Sequence, residues 1–395
     1  MHRCQCVVVG GGVAGLCASI LLCRAGVDAV VLEHRENPEK KVCAGGLSGR
    51  SLHLLSRMGM PFDAGRAVTR IELNVVPHHY NRFVTKTPLA RVADRKTINR
   101  WMMGHARDAG VRVIRGAATR RVEHDGRRFT VRTDRGDFSA PCIIGADGAV
   151  SRTRKSLGGS EPRMARALIA EKVEVSRPLD AAIFDYDALP MGYGWVFPTS
   201  ETTANVGVFT ISPMGGAELR ERLYFYTSQR LGGVRFASPV KGGILPWGGC
   251  RLDKKLPALL VGDAGGYTDP FTGEGIFQAL ATAGHAAAAV VSNPPHKVRR
   301  AFERRMALFS ANVRLLKRLG PLALKNARAI GRLGETGLFS RVFFSSQVRG
   351  QYYLGMAASA PAWLARSLLR RDVVHREHER NVPLHLQSMK PDLQN

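Results

Sequence analysis

The feature that most constrains the fold lies near the start of the chain, where three valines run into a group of glycines. Val7-Val8-Val9 reads as a strand, and Gly10-Gly11-Gly12-Val13-Ala14-Gly15 reads as a tight turn that opens a helix. In this pattern Gly10 permits the turn, Gly12 lets the backbone approach a pyrophosphate, and Gly15 lets the helix pack closely on the strand. The helix N-terminus then presents free N–H groups to the phosphates.

A second apolar run, Ala29-Val30-Val31-Leu32, ends at Glu33, about 20 residues after the glycines. A carboxylate at this point can accept a hydrogen bond from a ribose hydroxyl. Strand, turn, helix and acid together predict a Rossmann-like dinucleotide-binding domain, whereas a glycine pattern alone would indicate only a tight turn. The predicted cofactor contacts are Gly10, Gly12, Val13, Ala14, Gly15 and Glu33.

Later segments indicate which dinucleotide is bound. The strand Cys142-Ile143-Ile144 runs into Gly145-Ala146-Asp147-Gly148, and Ala258-Leu259-Leu260-Val261 runs into Gly262-Asp263-Ala264-Gly265. Together with residues 269–276, they resemble the flavoprotein hydroxylase and reductase superfamily, whose FAD threads through the whole nucleotide domain. The resemblance implies FAD, with Asp263 beside its ribityl and pyrophosphate portion. The resemblance also implies further cofactor contacts, which are Asp147, Gly148, Asp263, Gly273, Gly275 and Ile276.

Two short segments point to a reaction. Lys41-Val42-Cys43-Ala44-Gly45-Gly46-Leu47-Ser48 and Gly192-Tyr193-Gly194-Trp195-Val196-Phe197-Pro198 resemble the geranylgeranyl reductase family, flavoenzymes that hydrogenate isoprenoid double bonds. The Tyr-x-Trp-x-Phe-Pro pattern is complete, whereas Ala44 stands where the family more often has glycine. A further family segment begins at Asp94-Arg95, with Asn99 in place of the usual aspartate. The resemblance implies that Arg95 and Cys43 contact the cofactor, and that these residues line the substrate tunnel: Gly45, Gly46, Tyr193, Trp195 and Phe197.

The aromatic pattern suits such a reaction. Alternate residues of a strand face the same way, so Tyr193, Trp195 and Phe197 are predicted to form one apolar wall. Alkene reduction needs a hydride from reduced flavin and a proton for the other carbon. An aromatic face stabilises a cation-like transition state by about 0.5–2 kcal/mol per contact, so positioning must supply more. Tyr193 and Trp195 are therefore candidate catalytic residues, although aromatic residues at strand spacing also occur as ordinary sheet core.

Cys43 is the third candidate catalytic residue, either as active-site lining or as the proton donor. A free thiol is more often an inert core group, and it donates a proton to an alkene only if its environment shifts its pKa. Water held by backbone groups is the alternative donor. Gly45 and Gly46 are expected to let this loop approach the flavin closely. Glu274 reads as a surface charge or as a residue at a helix start.

The predicted fold class is α/β with α+β elements: a Rossmann-like FAD-binding domain, an inserted antiparallel β-sheet substrate domain and a helical C-terminal region. A helix from Asp94 to Ala109 and short strands, including the hairpin around Asp125-Gly126, belong to the first part. Alternating apolar patterns between residues 165 and 250 indicate the sheet. The predicted boundaries are 1–60, 93–164 and 251–292 for FAD binding, 61–92 and 165–250 for substrate, and 293–395 for the basic helical region.

The chain of 395 residues has a formal net charge of +26 and a pI near 10.6. The positive electrostatic field of such a protein concentrates anions, although a general preference for arginine on solvated faces would produce the same net charge and pI. Basic and apolar residues alternate in residues 313–319 and 363–371. Basic amphipathic helices of this kind suit an anionic membrane surface, but they also suit a helical cap on the FAD domain. No recognition motif supports nucleic-acid binding.

Seven scattered cysteines form no CxxC pair and no metal-ligand spacing, so no metal site is predicted. Their odd number indicates reduced thiols and a cytoplasmic protein. The chain opens directly into the first strand without a signal-peptide pattern, and no run is apolar enough for a transmembrane helix. The expected localisation is therefore cytoplasmic, with peripheral contact at the inner face of the membrane as a further prediction.

These observations predict an FAD-dependent reductase of isoprenoid or prenylated-lipid chains. NADPH is a candidate transient reductant, since no second GxGxxG unit exists to form a nicotinamide domain; ferredoxin or a quinol are the other candidate donors. A monooxygenase that hydroxylates or epoxidises an apolar substrate is the main alternative, because it would share the FAD segments. A quinone-linked electron carrier is the third hypothesis. Such a carrier would be expected to add cysteine ligands for an iron–sulfur cluster, and the scattered cysteines of this chain count against it.

Overall fold

The computed structural model describes residues 1–36, 41–75, 79–186, 188–232 and 235–327. The predicted 363–371 segment and the rest of the C-terminal region beyond residue 327 lie outside these ranges. The strands are β1 (His2–Arg3), β2 (Cys6–Val9), β3 (Ala29–Leu32), β4 (Gly46–Ser48), β5 (Arg66–Val68), β6 (Arg70–Val75), β7 (His79–Val84), β8 (Ala90–Val92), β9 (Arg112–Ile114), β10 (Thr119–His124), β11 (Phe129–Thr133), β12 (Gly136–Ala140), β13 (Cys142–Gly145), β14 (Arg163–Glu174), β15 (Ala181–Tyr186), β16 (Gly192–Pro198), β17 (Thr203–Thr210), β18 (Val240–Trp247) and β19 (Ala258–Leu260). The helices are α1 (Val13–Arg24), α2 (Gly49–Arg57), α3 (Arg95–Asp108), α4 (Arg152–Ser156), α5 (Gly216–Leu231), α6 (Ile276–Val291), α7 (Pro295–Arg305) and α8 (Ala307–Lys325).

A five-stranded parallel sheet forms the nucleotide half, in the order β19-β13-β2-β3-β9. Its central strands β2, β3 and β13 are buried along their whole length. Continuous apolar runs are expected for parallel strands covered on both faces. Helices α1, α3 and α6 pack on one face, in a core that includes Leu16, Met102 and Leu280. The Rossmann-like fold predicted from the glycine segments is confirmed.

The other face of the parallel sheet is covered by a four-stranded sheet in the order β1-β12-β11-β10. Val7 and Ile143 from the parallel sheet share a core with Phe129 and Val131 from this layer. The turn between β10 and β11 forms as predicted: the Asp125 Oδ1 accepts the backbone N–H groups of Arg127 and Arg128, at 2.8 and 2.7 Å. Its Asp-Gly pair therefore fixes the hairpin.

The second half is a seven-stranded sheet in the order β18-β14-β17-β16-β15-β6-β7. The sheet is antiparallel as predicted, except that β6 and β15 pair in parallel. This exception arises because β6 belongs to the earlier 61–92 segment and enters the sheet beside a strand that lies over a hundred residues later. Helix α5, which the alternating patterns did not predict, packs on the face carrying Val206 and Val208. The opposite face carries the aromatic residues of β16.

Two smaller features connect the halves. A three-stranded antiparallel sheet in the order β4-β8-β5 joins the Cys43 loop to the segment before α3. The predicted helix at residues 94–109 is α3, and Asp94 caps it by accepting the Thr97 N–H at 2.6 Å. After α6 the chain continues as α7 and α8, and α8 contains Pro321.

Candidate functional site

A cavity of about 450 Å³ receives residues from both halves. At one end lie the start of α1 and the turn before α6, and at the other lies the aromatic face of the seven-stranded sheet. Most of the residues predicted from the sequence meet here. Those that line the cavity are Gly12, Val13, Ala14, Cys43, Gly45, Gly46, Arg95, Gly148, Tyr193, Trp195, Phe197, Asp263, Gly273, Gly275 and Ile276.

The glycines at the nucleotide end of the cavity are present for different structural reasons. A Cβ on Gly10, whose φ is +106°, would lie 2.4 Å from the Ala146 carbonyl oxygen, and one on Gly15 would lie 1.8 Å from that of Gly10. Both are needed for close packing behind the cavity. Among the described residues, a Cβ on Gly12 would meet nothing within 4 Å, and Gly12 caps α1 without a side-chain hydrogen bond. The start of α1 therefore faces open space, which fits the pyrophosphate of FAD.

Glu33 and Asp147 lie behind this lining. Glu33 is buried, and its two carboxylate oxygens accept the Gly11 and Arg35 backbone N–H groups, at 2.7 and 2.9 Å. The Asp147 carboxylate accepts from the Ser151 hydroxyl at 2.5 Å and from the Thr153 N–H at 2.9 Å. These bonds hold the glycine turn and the start of α4. Contact of either residue with FAD stays a prediction.

Asp263 forms a charged group at the same end. Its Oδ2 lies 2.9 Å from the Lys41 Nζ, and its Oδ1 accepts from Thr268. Burial alone would raise the pKa of Asp263, but the charge and hydrogen bond of Lys41, with the charge of Arg95, hold it below its usual value. Asp263 is thus ionised at neutral pH and orders Lys41 at the cavity wall. Lys41 was not among the residues predicted as cofactor contacts.

Arg95 is buried where the resemblance predicted a cofactor contact. Its Nε donates to the Asn99 Oδ1 at 2.8 Å, one helical turn further along α3. The asparagine that replaces the usual aspartate therefore still orients the guanidinium, although as a neutral acceptor. The charge of Arg95 at the cavity is consequently less neutralised than it would be by a carboxylate.

The Cys43 loop is shaped by its glycines. Gly45 has a φ of +74°, and a Cβ there would lie 2.0 Å from the Ala93 carbonyl oxygen. Its N–H donates to the Cys43 Sγ at 3.4 Å. A Cβ on Gly46 would lie 3.2 Å from the Phe197 ring. Gly45 and Gly46 thus bring the loop against the segment that precedes α3 and against the aromatic wall. Cys43 is left half-buried at the cavity surface.

The aromatic wall forms as predicted, with all three residues of β16 buried on the cavity face. The Tyr193 and Trp195 ring centroids are 6.1 Å apart, and those of Trp195 and Phe197 are 6.2 Å apart. The Trp195 Nε1 donates to the Asn205 Oδ1 at 2.9 Å, and the Tyr193 hydroxyl donates to the Thr272 carbonyl. Burial raises the pKa of Tyr193 far above its usual range. The wall therefore offers ring faces, while its polar hydrogens are already engaged.

Comparison with known proteins agrees with this geometry. Residues 3–223 match the FAD binding domain family. Digeranylgeranylglycerophospholipid reductase 1 of Methanopyrus kandleri is 30% identical over 294 residues, which cover 69% of this chain and 76% of that protein. The chain belongs to the geranylgeranyl reductase family of FAD-dependent oxidoreductases.

Other relatives of this reductase family differ in their named substrates. A menaquinone reductase of Mycolicibacterium smegmatis is 28% identical over 378 residues, covering 82% of the chain and 89% of that protein. A solved structure of a geranylgeranyl bacteriochlorophyll reductase-like protein from Thermoplasma acidophilum has a TM-score of 0.70 at 21% identity, covering 82% of this chain and 90% of that one. The flavin-dependent brominase Bmp2 has a TM-score of 0.74 at 13% identity, covering 93% and 100%. These two structures show a shared fold.

One lining residue of the cavity belongs to an ion pair that sequence reasoning missed. Glu274 is not a surface charge: it lines the cavity, and its side chain is only 11% exposed. Its Oε2 accepts from the Arg50 Nε at 2.9 Å and also from Nη2, while Ser48 and Ser51 donate to Oε1. Arg50 was missed because nothing in the sequence spacing links residues more than two hundred positions apart.

Within the described ranges, no helix is both long enough and apolar enough to span a membrane.

Proposed function

We propose that this enzyme hydrogenates carbon–carbon double bonds of a geranylgeranyl-type isoprenoid chain. The observation that carries the proposal is the continuity of one cavity, from the open start of α1 to the wall of Tyr193, Trp195 and Phe197. An FAD held at the first end would lie beside an apolar chain held at the second. The named activities of the relatives from Methanopyrus and Mycolicibacterium support a prenylated substrate.

The proposed cofactor contacts are the lining residues of the nucleotide end, with Gly12 admitting the pyrophosphate and Lys41 and Arg95 supplying positive charge. Glu33 and Asp147 act by holding the backbone around it, and direct contacts from them remain part of the proposal. Bound FAD, once reduced, would supply the hydride. The chain's own residues would hold the alkene in register and exclude water from the apolar end.

The aromatic wall would act on the substrate through its ring faces. Tyr193 and Trp195 present π surfaces in the apolar part of the cavity, where each contact stabilises a developing positive charge by about 0.5–2 kcal/mol. Neither has a free proton to give, because both donors are engaged by Thr272 and Asn205. Cys43 is the proposed proton donor among the lining residues, with a water at the same position as the alternative.

The reductant is proposed to reach the flavin from outside. The cavity is exposed at the nucleotide end, where Arg35 and Lys41 are solvent-accessible lining residues. These cations suit an anionic donor, either NADPH bound transiently or an acidic ferredoxin. Both donors would approach the same end of the cavity, so the approach route favours neither of them. Steady-state assays with each donor would distinguish them.

Peripheral membrane contact is proposed for α8. Its Leu308, Leu319 and Leu322 are 53%, 48% and 57% exposed. Leu319 and Leu322 lie 11 and 14 residues after Leu308, which places all three on one helix face. Arg314 and Arg318 lie beside this face. Exposed leucines flanked by arginines are typical of helices that lie on anionic lipid.

The proposal is tested with purified enzyme that is chemically reduced without oxygen and mixed with geranylgeranyl diphosphate or a prenylated lipid extract. Flavin absorbance reports reoxidation, and mass spectrometry reports the product. Products that gain pairs of hydrogen atoms under these conditions support the reductase. If reoxidation waits for air and oxygen then enters an apolar product, the proposal is wrong and the enzyme is a monooxygenase.

A further inference from the structure

We propose that the substrate chain enters the cavity over Gly243, at the edge of the seven-stranded sheet, and that its polar head group stays outside. This inference rests on the proposed function, because it assigns the direction from which an isoprenoid chain reaches the aromatic wall. The substrate class that follows is an amphiphile with a long prenyl tail, whether the head is a diphosphate or a quinone.

Gly243 lies on β18, the edge strand that pairs with β14. Side chains of a strand alternate between faces, and Leu245 and Trp247 on the same strand pack in the core of the aromatic wall. Position 243 therefore faces the cavity, and Gly243 is one of its lining residues. Across the ladder it is opposite Ala167, another small lining residue.

The backbone does not require a glycine at this position. Gly243 is part of a regular strand, and a Cβ built on it would meet no atom of the described residues within 4 Å. Any residue of β propensity would fit here. Within the part of the chain that the structure describes, the glycine instead leaves the edge of the cavity open, beside the exposed lining residues Gly242 and Ile244.

The cavity lining at the end beside Gly243 suits a hydrocarbon chain and excludes a charged head group. The lining includes Ile71, Leu89, Ile169, Phe184 and Leu245, all apolar. The acidic and basic residues of the lining belong to the nucleotide end and the loops beside it, where Lys41 is bound to Asp263 and Glu274 to Arg50.

The nearest cation on β18 is also engaged, since the Lys241 Nζ lies 2.6 Å from the Glu171 Oε2. Moving a charged head into such a lining without a partner would be strongly unfavourable. The head group consequently remains at the rim while the tail extends toward Trp195.

Gly216, the first residue of α5, provides a control on the opposite side of the same sheet. It is exposed, it does not line the cavity, and a Cβ built on it would meet no atom of the described residues within 4 Å. The variants Gly243→Leu and Gly216→Leu therefore add the same side chain at two positions that have room for it. Only the first would project into the entrance.

The experiment measures binding to the oxidised, FAD-loaded enzyme, where no turnover occurs. Geranylgeraniol, geranylgeranyl diphosphate and a prenylated menaquinone in detergent micelles are titrated, and the flavin spectrum and Trp fluorescence report binding. For Gly243→Leu we expect binding of all three to weaken about tenfold or more, as obstruction of a packed passage implies, with FAD content unchanged. Gly216→Leu is expected to bind like the parent enzyme.

Equal loss in both variants, or none in Gly243→Leu, would overturn the proposed entrance. Tight binding of one head-group form with no binding of the others would overturn the inference that the head stays outside, as would failure of the parent enzyme to bind any of the three. Binding that behaves as expected, followed by no hydrogenation in the reduced enzyme, would leave the entrance in place and count against the proposed reaction instead.

Discussion

The Arg50 guanidinium and the Glu274 carboxylate join two segments that are more than two hundred residues apart, with the Nε 2.9 Å from the Oε2. Arg50 lies at the start of α2, directly after the Cys43 loop, and Glu274 lies between Gly273 and Gly275 before α6. The Arg50 guanidinium also lies over the Phe277 ring, 4.3 Å from its centroid. This buried pair therefore sets the spacing of the two loops that border the cavity.

Replacement of Glu274 by Gln should leave the Arg50 charge buried without its main counterion. Breaking a buried pair from one side typically costs 3–5 kcal/mol, and the nearby Asp269 charge offsets part of it, so we expect a loss of about 3 kcal/mol in unfolding free energy. Urea denaturation measures this loss. The double variant Arg50→Met/Glu274→Gln should recover part of it, whereas two additive losses would contradict the pairing.

Gly12→Val should give a folded protein without flavin. Because a Cβ at Gly12 meets no atom of the described residues within 4 Å, we expect the fold to accept the side chain, which would fill the space of the pyrophosphate. Flavin absorbance after purification tests the loss of FAD, and the thermal midpoint of the FAD-free protein tests whether the variant is folded. Gly10→Ala is the contrasting variant: its Cβ would collide with the Ala146 carbonyl, so loss of folding is expected there. A flavin-loaded Gly12→Val enzyme would show that the pyrophosphate lies elsewhere.

Trp195→Phe should impair turnover while leaving FAD in place. The smaller ring weakens the cavity face and leaves the buried Asn205 carbonyl oxygen without its donor. We expect kcat to fall by about tenfold, as for a shifted substrate near the reacting centre. Single-turnover flavin reoxidation separates this effect from flavin loss. If the variant loses its flavin instead, Trp195 acts as fold core and not as part of the substrate wall.

Acid stability should depend on Lys41 through Asp263. A carboxyl whose folded pKa is lowered stabilises the fold above its unfolded pKa of 3.8, and that contribution disappears as the pH falls through the lower folded value. Without Lys41, burial of Asp263 acts against ionisation and raises its pKa. Lys41→Met should therefore move acid unfolding, followed by circular dichroism, to higher pH. Lys241→Met breaks a pair whose carboxylate, Glu171, is more exposed than Asp263, and it should change little.

The α8 surface can be tested with vesicles. Replacing Leu308, Leu319 and Leu322 by Ser should reduce co-sedimentation with anionic vesicles several-fold while leaving turnover of a detergent-dispersed substrate unchanged. The control variant replaces Tyr224 and Phe225, which are 42% and 48% exposed on α5, by Ser. Equal binding by the leucine variant and its parent would remove α8 from the proposed membrane contact.

Much of the site was predictable because its chemistry is local in sequence. A glycine turn after a strand implies Gly10, Gly12 and Gly15, and alternation along one strand implies the wall that contains Trp195. In each case the residues that act together lie within a few positions of one another. The backbone geometry of a single element then determines which way they face.

The parts that were missed depend on packing between distant segments. Nothing near Glu274 in the chain indicates that Arg50 will neutralise it, so it resembled a surface charge. The same holds for Asp185, which is fully buried and binds Tyr226 and Asn74, residues of two other elements. Helix α5 was missed because its surroundings alternate as strands do, and its own pattern mixes charged and aromatic residues.

The strand order of the parallel sheet has a consequence for how the protein forms. Its central strand β2 is made within the first residues of the chain, but β13 and β19, which follow in the order β2-β13-β19, appear only at residues 142–145 and 258–260. A growing chain therefore carries an unpaired parallel edge until about two thirds of its length has been synthesised. Such long-range pairing folds slowly and exposes that edge to aggregation. Expression at lower temperature or with chaperones should accordingly raise the soluble yield more than any change to the cavity.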